Sequence, residues 1–164
     1  MRRPHIKKFS IAITTAALAL SLTACSGAGP NAATRLIKQV TDGVDIVVDQ
    51  DGSNVAISNF LLVATEDGSA VVVGTIVNRS PEADELLSIS AANVPATMTG
   101  ELNLLQDKPI RFEGDIATSK AVFDSVGARA GNNVAVVLTF ARAGVVKLNA
   151  IIRDKRDAYA GVTK

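Results

Sequence analysis

Short apolar runs with period two, separated by turn residues, are the feature that most constrains what this chain can fold into. Asn133 to Phe140 places Val134, Val136, Leu138 and Phe140 on one face. Ala141-Arg142-Ala143-Gly144 turns the chain, and Val145 to Ile152 puts Val146, Leu148, Ala150 and Ile152 on a matching face, with Lys147 and Asn149 opposite. Side chains alternate across a strand, so two such runs joined by a short glycine-ended turn define an antiparallel hairpin. The same grammar recurs upstream. Asn54 to Thr65 and Ala70 to Asn78 flank Glu66-Asp67-Gly68-Ser69, and Gly43 to Val48 leads into Asp49-Gln50-Asp51-Gly52-Ser53. Glycine supplies the positive φ that tight hairpin turns demand. Glu85 to Ser90, Glu101 to Leu105 and Pro109 to Glu113 are shorter strand candidates, and Ala117 to Val126 fits a strand or a short helix. Seven or eight strands with no long amphipathic helix and no βαβ alternation predict an all-β fold, an antiparallel sandwich or open barrel spanning residues 34–157. Residues 158–164 are left as a C-terminal tail. Phe60, Phe112, Phe123 and Phe140 lie inside apolar strands and are expected in the core.

The first 25 residues have a different character. Arg2, Arg3, Lys7 and Lys8 precede an apolar stretch, Phe9 to Leu22, that as a helix would rise about 21 Å, short of a hydrocarbon core of roughly 30 Å. A positive start, an apolar stretch and a small-residue site make a secretory signal, assigned to residues 1–24. Leu22-Thr23-Ala24-Cys25 resembles the bacterial lipobox. That resemblance implies transfer of diacylglycerol to the Cys25 thiol and cleavage before it. The expected location is therefore the extracytoplasmic face of the cell membrane, held by lipid, because two acyl chains anchor stably where one is marginal. Ser26 to Ala33 is small and uncharged, and residues 25–33 read as the lipidated cysteine and a flexible tether. Leu36, Ile37 and Val40 fit either a helical turn or an approach strand.

Splitting the chain at Cys25 changes its charge. The whole carries 17 basic and 16 acidic residues. Four of the basic residues and none of the acidic ones lie before Cys25, leaving a mildly acidic domain. An acidic domain with four core phenylalanines and one Tyr has neither the field nor the stacking surface for nucleic acid. The only His, His5, belongs to the leader, and the only Cys is Cys25. Without imidazole or free thiol, the domain has no Ser-His-Asp or Cys-His catalysis and no imidazole-held zinc or copper. There is no GxxxxGK[ST] phosphate loop. The sequence points to no catalytic residue, no cofactor and no metal ligand set.

Two oxygen-rich segments have competing readings. Asp49-Gln-Asp51-Gly52-Ser-Asn54 begins like a calcium loop, but the bend glycine would fall at Asn54 and the bidentate Glu at Phe60, so a hairpin turn is favoured. Glu82, Asp84 and Glu85 offer paired carboxylates, but nothing converges on them in sequence, and a solvated loop is favoured. Arg153 to Asp157 mixes both signs and reads as a solvated strand end. Asn78-Arg79-Ser80 fits a glycosylation sequon.

Val137-Leu-Thr-Phe-Ala-Arg-Ala-Gly144-Val-Val-Lys-Leu148 resembles the final hairpin of the PCu(A)C-like (periplasmic copper chaperone-like) family. The block Ala70 to Leu87, with Asp84-Glu85-Leu86, is similar to that family's strand and polar loop, and the resemblance spans about residues 54–152. In style it looks like the LpqE-like lipoproteins of actinobacteria. The resemblance implies a cupredoxin-like or immunoglobulin-like β-sandwich. It also implies Cu(I) held by His and Met, but Met98 is the only Met after the leader and no His follows it, so the metal function does not carry over. The resulting expectation is a non-catalytic, membrane-anchored lipoprotein binding an unidentified protein or small-molecule partner, with extracytoplasmic copper handling as the alternative.

Overall fold

The computed structural model describes residues 42–164. Cys25, the lipobox residues Leu22, Thr23 and Ala24, the tether, and Leu36, Ile37 and Val40 lie outside the described residues. Eleven strands are present among those described: β1 Val44–Gln50, β2 Ser53–Ala64, β3 Ala70–Asn78, β4 Asp84–Ala91, β5 Val94–Pro95, β6 Thr97–Gly100, β7 Asn103–Leu104, β8 Ile110–Phe112, β9 Ser119–Phe123, β10 Asn133–Phe140 and β11 Val145–Asp154. Four of them have four residues or fewer. Those short pieces exceed the seven or eight expected, and β5 and β6 had no period-two run to announce them. Ala117 to Val126 resolves as a strand, β9.

Strand order runs β5-β4-β10-β11-β2-β3-β8-β9-β6, with β1 on β2 and β7 on β4. The order closes on itself as a sandwich because two segments change sheets. β11 pairs antiparallel with β10 from Val145 to Ile151, then parallel with β2 over Ile152 to Asp154. β5 belongs to the β4 sheet, and β6, one residue later, to β9. Between the layers lies one core. Val136, Leu138 and Phe140 of β10 face Val55, Ile57, Phe60 and Leu62 of β2, joined by Ile89, Phe112 and Phe123. All four phenylalanines expected in the core are 2% exposed or less. Fully burying such a side chain contributes about 1.5–3 kcal/mol each.

β2 is the spine of the fold, and it is bent. Its register slips against β1 between Val44 and Ile46, and against β3 between Ser58 and Leu61. At the bulge Asn59 has φ +51°. Two side-chain bonds hold it there: the Asn59 N–H donates to Asp45 Oδ1 at 2.7 Å, and the Gly43 N–H donates to Asn59 Oδ1 at 2.9 Å. Gly43 is pressed so close that a Cβ would lie 2.3 Å from the Asn59 carbonyl carbon. On the other side, a Cβ on Gly74 would stand 3.1 Å from Phe60 Cα. A bulge adds local twist to the strand. Here it lets β2 serve β1 along its first half and β11 along its second.

Residues 158–164, set off in the sequence as a tail, lie against the outer face of β2 and β3. Val162 is 7% exposed and packs with Leu61, Val63 and Val71 in a second apolar cluster. Four polar contacts fasten the segment. Tyr159 Oη donates to Asp42 Oδ2 at 3.1 Å, Lys164 Nζ meets Asp124 at 3.0 Å and Asp67 at 3.3 Å, and Lys120 Nζ donates to Thr163 Oγ1 at 3.2 Å. Asp42 also takes the Arg153 guanidinium at 2.6 Å. Arg153 is therefore part of a fastening rather than a wholly solvated strand end. The Arg153 and Tyr159 hydrogen bonds pull the Asp42 carboxyl below its ordinary value. Burial, then Asp42, pushes the Tyr159 phenol above its own.

Two outcomes follow. Gly43→Ala should cost about 1–3 kcal/mol by overpacking a backbone contact, while Gly161→Ala, with open space around it, should be close to neutral; urea unfolding compares them. Tyr159 is the only Tyr and there is no Trp, so phenolate absorbance reads it directly. A raised phenol pKa means the contact stabilises below the ordinary tyrosine range and is lost as pH rises through the folded value. The midpoint should lie above that of free tyrosine and fall back in Asp42→Asn; an ordinary midpoint in the parent chain would refute the contact.

Candidate functional site

The best-organised polar region is one end of the sandwich, where the β1–β2 turn, the β3–β4 loop and the β10–β11 turn meet. Asp84, which opens β4, is 6% exposed. Its Oδ1 accepts the N–H groups of Glu85 and Arg142, both at 2.8 Å, and its Oδ2 accepts the Ala143 N–H at 2.9 Å. A β10–β11 turn made of Ala-Arg-Ala-Gly has no side chain to satisfy its own backbone donors, and the carboxylate does so from across the sheet. Asn78 is 1% exposed and works the same way. Its Nδ2 donates to the carbonyls of Glu82 at 2.7 Å and Leu104 at 2.9 Å, and its Oδ1 accepts the Ser80 N–H at 2.9 Å. Ser80 Oγ takes the Asn54 N–H at 2.6 Å. Buried backbone donors and acceptors must be paired, and here three polar side chains do the pairing.

This corrects the solvated-loop reading for one residue of three. Asp84 is a buried structural carboxylate. Glu82 is exposed and meets Arg142 at 3.4 Å, a contact of small worth, and Glu85 is exposed. The three are not brought together as an acid–base pair, and Asn78, being buried, is no glycan acceptor. The Asp49 to Asn54 segment is the expected hairpin turn. Gln50 pairs with Ser53, and Asp51 and Gly52 have φ +50° and +76°, the two left-handed residues of a primed turn.

Met98 lies on β6, opposite Ala121 of β9, partly buried against the core. Among the described residues there is no His, and no group of three or more His, Cys, Asp or Glu side chains is placed to hold a metal ion. One thioether without imidazole does not fit Cu(I), which is selected by several soft ligands. Also among the described residues, no helix is long and apolar enough to cross a membrane. Two clefts of about 380 Å³ each are among those on the surface. One runs beside the C-terminal segment, along Tyr159 and Val162; the other lies between the β6–β7 and β7–β8 connections.

No family sequence profile matches the chain, and no curated protein does. Solved structures do. The apo PCuAC domain of PmoF1 superposes with a TM-score of 0.56 at 19% identity, over 68% of this chain and 99% of that domain. The copper-bound PCuAC domain of PmoF2 gives 0.56 at 16% identity over 68% and 98%, and the apo form of the latter gives 0.57 at 15% over 70% and 98%. The domain therefore has the all-β fold of the PCuAC domains.

Asp84→Ala should destabilise the domain by about 3 kcal/mol, since it strands buried N–H groups of the β10–β11 turn. Asp84→Asn, which keeps one acceptor oxygen, should cost less. Amide exchange at Arg142 and Ala143 checks the assignment: both should accelerate in Asp84→Ala beyond the change at β2, and equal acceleration throughout would contradict a local clamp.

Proposed function

We propose that this chain is a non-catalytic lipoprotein of the cell envelope, anchored through lipid on Cys25 at the extracytoplasmic face of the membrane, whose PCuAC-type sandwich binds a protein or small-molecule partner. The observation that carries this reading is a pairing within one chain. Leu22-Thr23-Ala24-Cys25 stands directly before a short uncharged linker, and the β domain beyond it contains neither His nor a further Cys. Nucleophilic and imidazole chemistry then has no residues to use, and what the domain offers is a rigid surface. The polar ties of Asp84, Asn78 and Ser80 support that reading, because pre-organised loops lose less freedom on binding.

Copper handling of the PCuAC type is the second reading, favoured by the fold likeness to a copper-bound domain. Its weakness is the donor set, reduced to Met98.

One pair of measurements separates them. Cys25→Ala should abolish labelling by a radioactive lipid precursor and move the chain out of the membrane fraction; an unchanged distribution overturns the anchor. Cu(I) titration of the full-length chain should show no tight site, whereas tight binding lost in Met98→Leu would establish the copper reading.

A further inference from the structure

An antiparallel sheet with one face on the core commonly turns a polar face outward. The outer face of β2 and β3 departs from that habit. Phe60-Leu61-Leu62-Val63 and Val71-Val72-Val73 are unbroken apolar runs. Leu62 and Val72 enter the main core, while Leu61, Val63 and Val71 form the second cluster on the opposite face. Strand pairing sets the outer residues side by side: Leu61 opposite Val73, Val63 opposite Val71, and Val71 opposite Val122 of β9. Neither a second sheet nor a long helix covers this patch. Residues 157–164 do, through Tyr159 and Val162.

That cover is fastened by side chains alone. The backbone hydrogen bonds of the segment are local: the Tyr159 N–H donates to the Arg156 carbonyl, that of Ala160 to Asp157 and that of Val162 to Tyr159. Among the described residues, none joins it to a strand of the sheet. The fit is also open, since a cleft of about 380 Å³ lies between Tyr159, Gly161 and Val162 and the residues Val73, Glu113 and Asp115. The ion pairs of Lys164 with Asp67 and Asp124 join side chains that are 46–68% exposed, and such pairs hold weakly. By contrast, the carboxylate that receives Lys164 is positioned without it. Asp67 Oδ1 accepts Thr65 Oγ1 at 2.6 Å, Ser69 Oγ at 2.7 Å and the Ser69 N–H at 3.1 Å, leaving Oδ2 for the ammonium at 3.3 Å. Those bonds from Ser69 and Thr65 hold the Asp67 carboxyl well below its ordinary value, so it stays charged when no cation is present.

We propose that the outer face of β2 and β3 is a peptide-docking face that residues 157–164 occupy in cis, and that its partner is a protein segment bearing an aliphatic residue two positions before a lysine or arginine. The aliphatic side chain takes the place of Val162 over Leu61, Val63 and Val71, and the cation takes the place of Lys164 on Asp67 and Asp124. An acidic rim beside an apolar patch is complementary to that pairing and repels an anionic lipid surface. This names the partner class of the binding-module reading and rests on that reading, but not on the lipid anchor. The tethered segment keeps the face closed by competition, because a segment on a short linker acts at an effective concentration of about 1 mM.

The probe is the synthetic octapeptide of residues 157–164, titrated into the isotopically labelled full-length chain in detergent and followed by amide shifts. Two variants open the face: a chain ending at Arg156, and Val162→Asp in the intact chain. In both, the peptide should shift Leu61, Val63, Val71 and Val122 saturably, and bind about tenfold more tightly than to the parent, whose own segment competes. Within the peptide, Val162→Asp should abolish the shifts, and Lys164→Glu should weaken binding about threefold to fivefold. Asp124→Lys in the chain should restore binding of the Lys164→Glu peptide, which separates charge recognition from damage to the fold. An octapeptide of glycine and serine that keeps only Val162, Thr163 and Lys164 should bind within about tenfold of the native one, since a few anchors carry most of the energy. No saturable shift in either variant at about 10 mM peptide, tenfold above the effective concentration, overturns the proposal. So does loss of amide protection in β10 and β11 of both variants, which would make the segment part of the fold and not a displaceable cover. Dimers of the parent chain that exchange this segment, or adsorption of the opened face to phosphatidylglycerol vesicles in place of the peptide, also overturn it. None of these results bears on the membrane distribution of Cys25→Ala, so the two readings fail separately.

Discussion

The domain depends on the bulge in β2. A twelve-residue strand that stayed regular would pair with one neighbour along each edge, and the two sheets would have no strand in common. Asn59 at φ +51° breaks that regularity; β1 pairs as far as Phe60, and from Leu62 the same strand carries β11. The conformation is unfavourable for a residue with a Cβ, although asparagine bears it better than most. It persists because Asp45 and Gly43 satisfy the Asn59 backbone and side chain from β1 and the residue before it. A local strain is thus balanced by two specific bonds, and the result is a closed sandwich with a single main core.

The polar end of the sandwich obeys the same economy of hydrogen bonds. The hairpin turn between β10 and β11 and the loop between β3 and β4 are irregular, so their backbone groups need partners that no strand supplies. Asp84 and Asn78 supply them from inside the fold. Both lie in a stretch whose composition, polar and proline-bearing, looks like solvent-facing loop. Their role here is to pair buried backbone groups, and it leaves the loops around them ordered.

Fold and ligand set are read from different features of this chain. The superposition on PCuAC domains is a likeness of backbone at 15 to 19% identity. Backbone likeness does not carry ligands, and β6, with its partly buried Met98, offers one soft donor. A shared fold does not by itself specify a function. The loops at one end of the domain are ordered by the buried side chains of Asp84, Asn78 and Ser80.

Strands that alternate strictly were legible from sequence to within a residue or two. β10 and β11 are the best case, since every residue expected to face inward from Val136 to Phe140 and from Val146 to Ile152 is buried. β5, β6 and β7 were less legible because two to four residues are too few for a period to show. Asp84 was read as solvated because its partners, Arg142 and Ala143, are 58 and 59 residues away, and the C-terminal segment was set aside because Val162 finds its cluster on β2 and β3. The sequence alone determined the all-β class, the hairpins and the absence of His and of any further Cys after Cys25, since all of these are local patterns or counts. Only the tertiary structure decided which polar residues are buried, where β2 bends and which charges are paired, because each is a relation between residues that the chain brings together only when the sheets close.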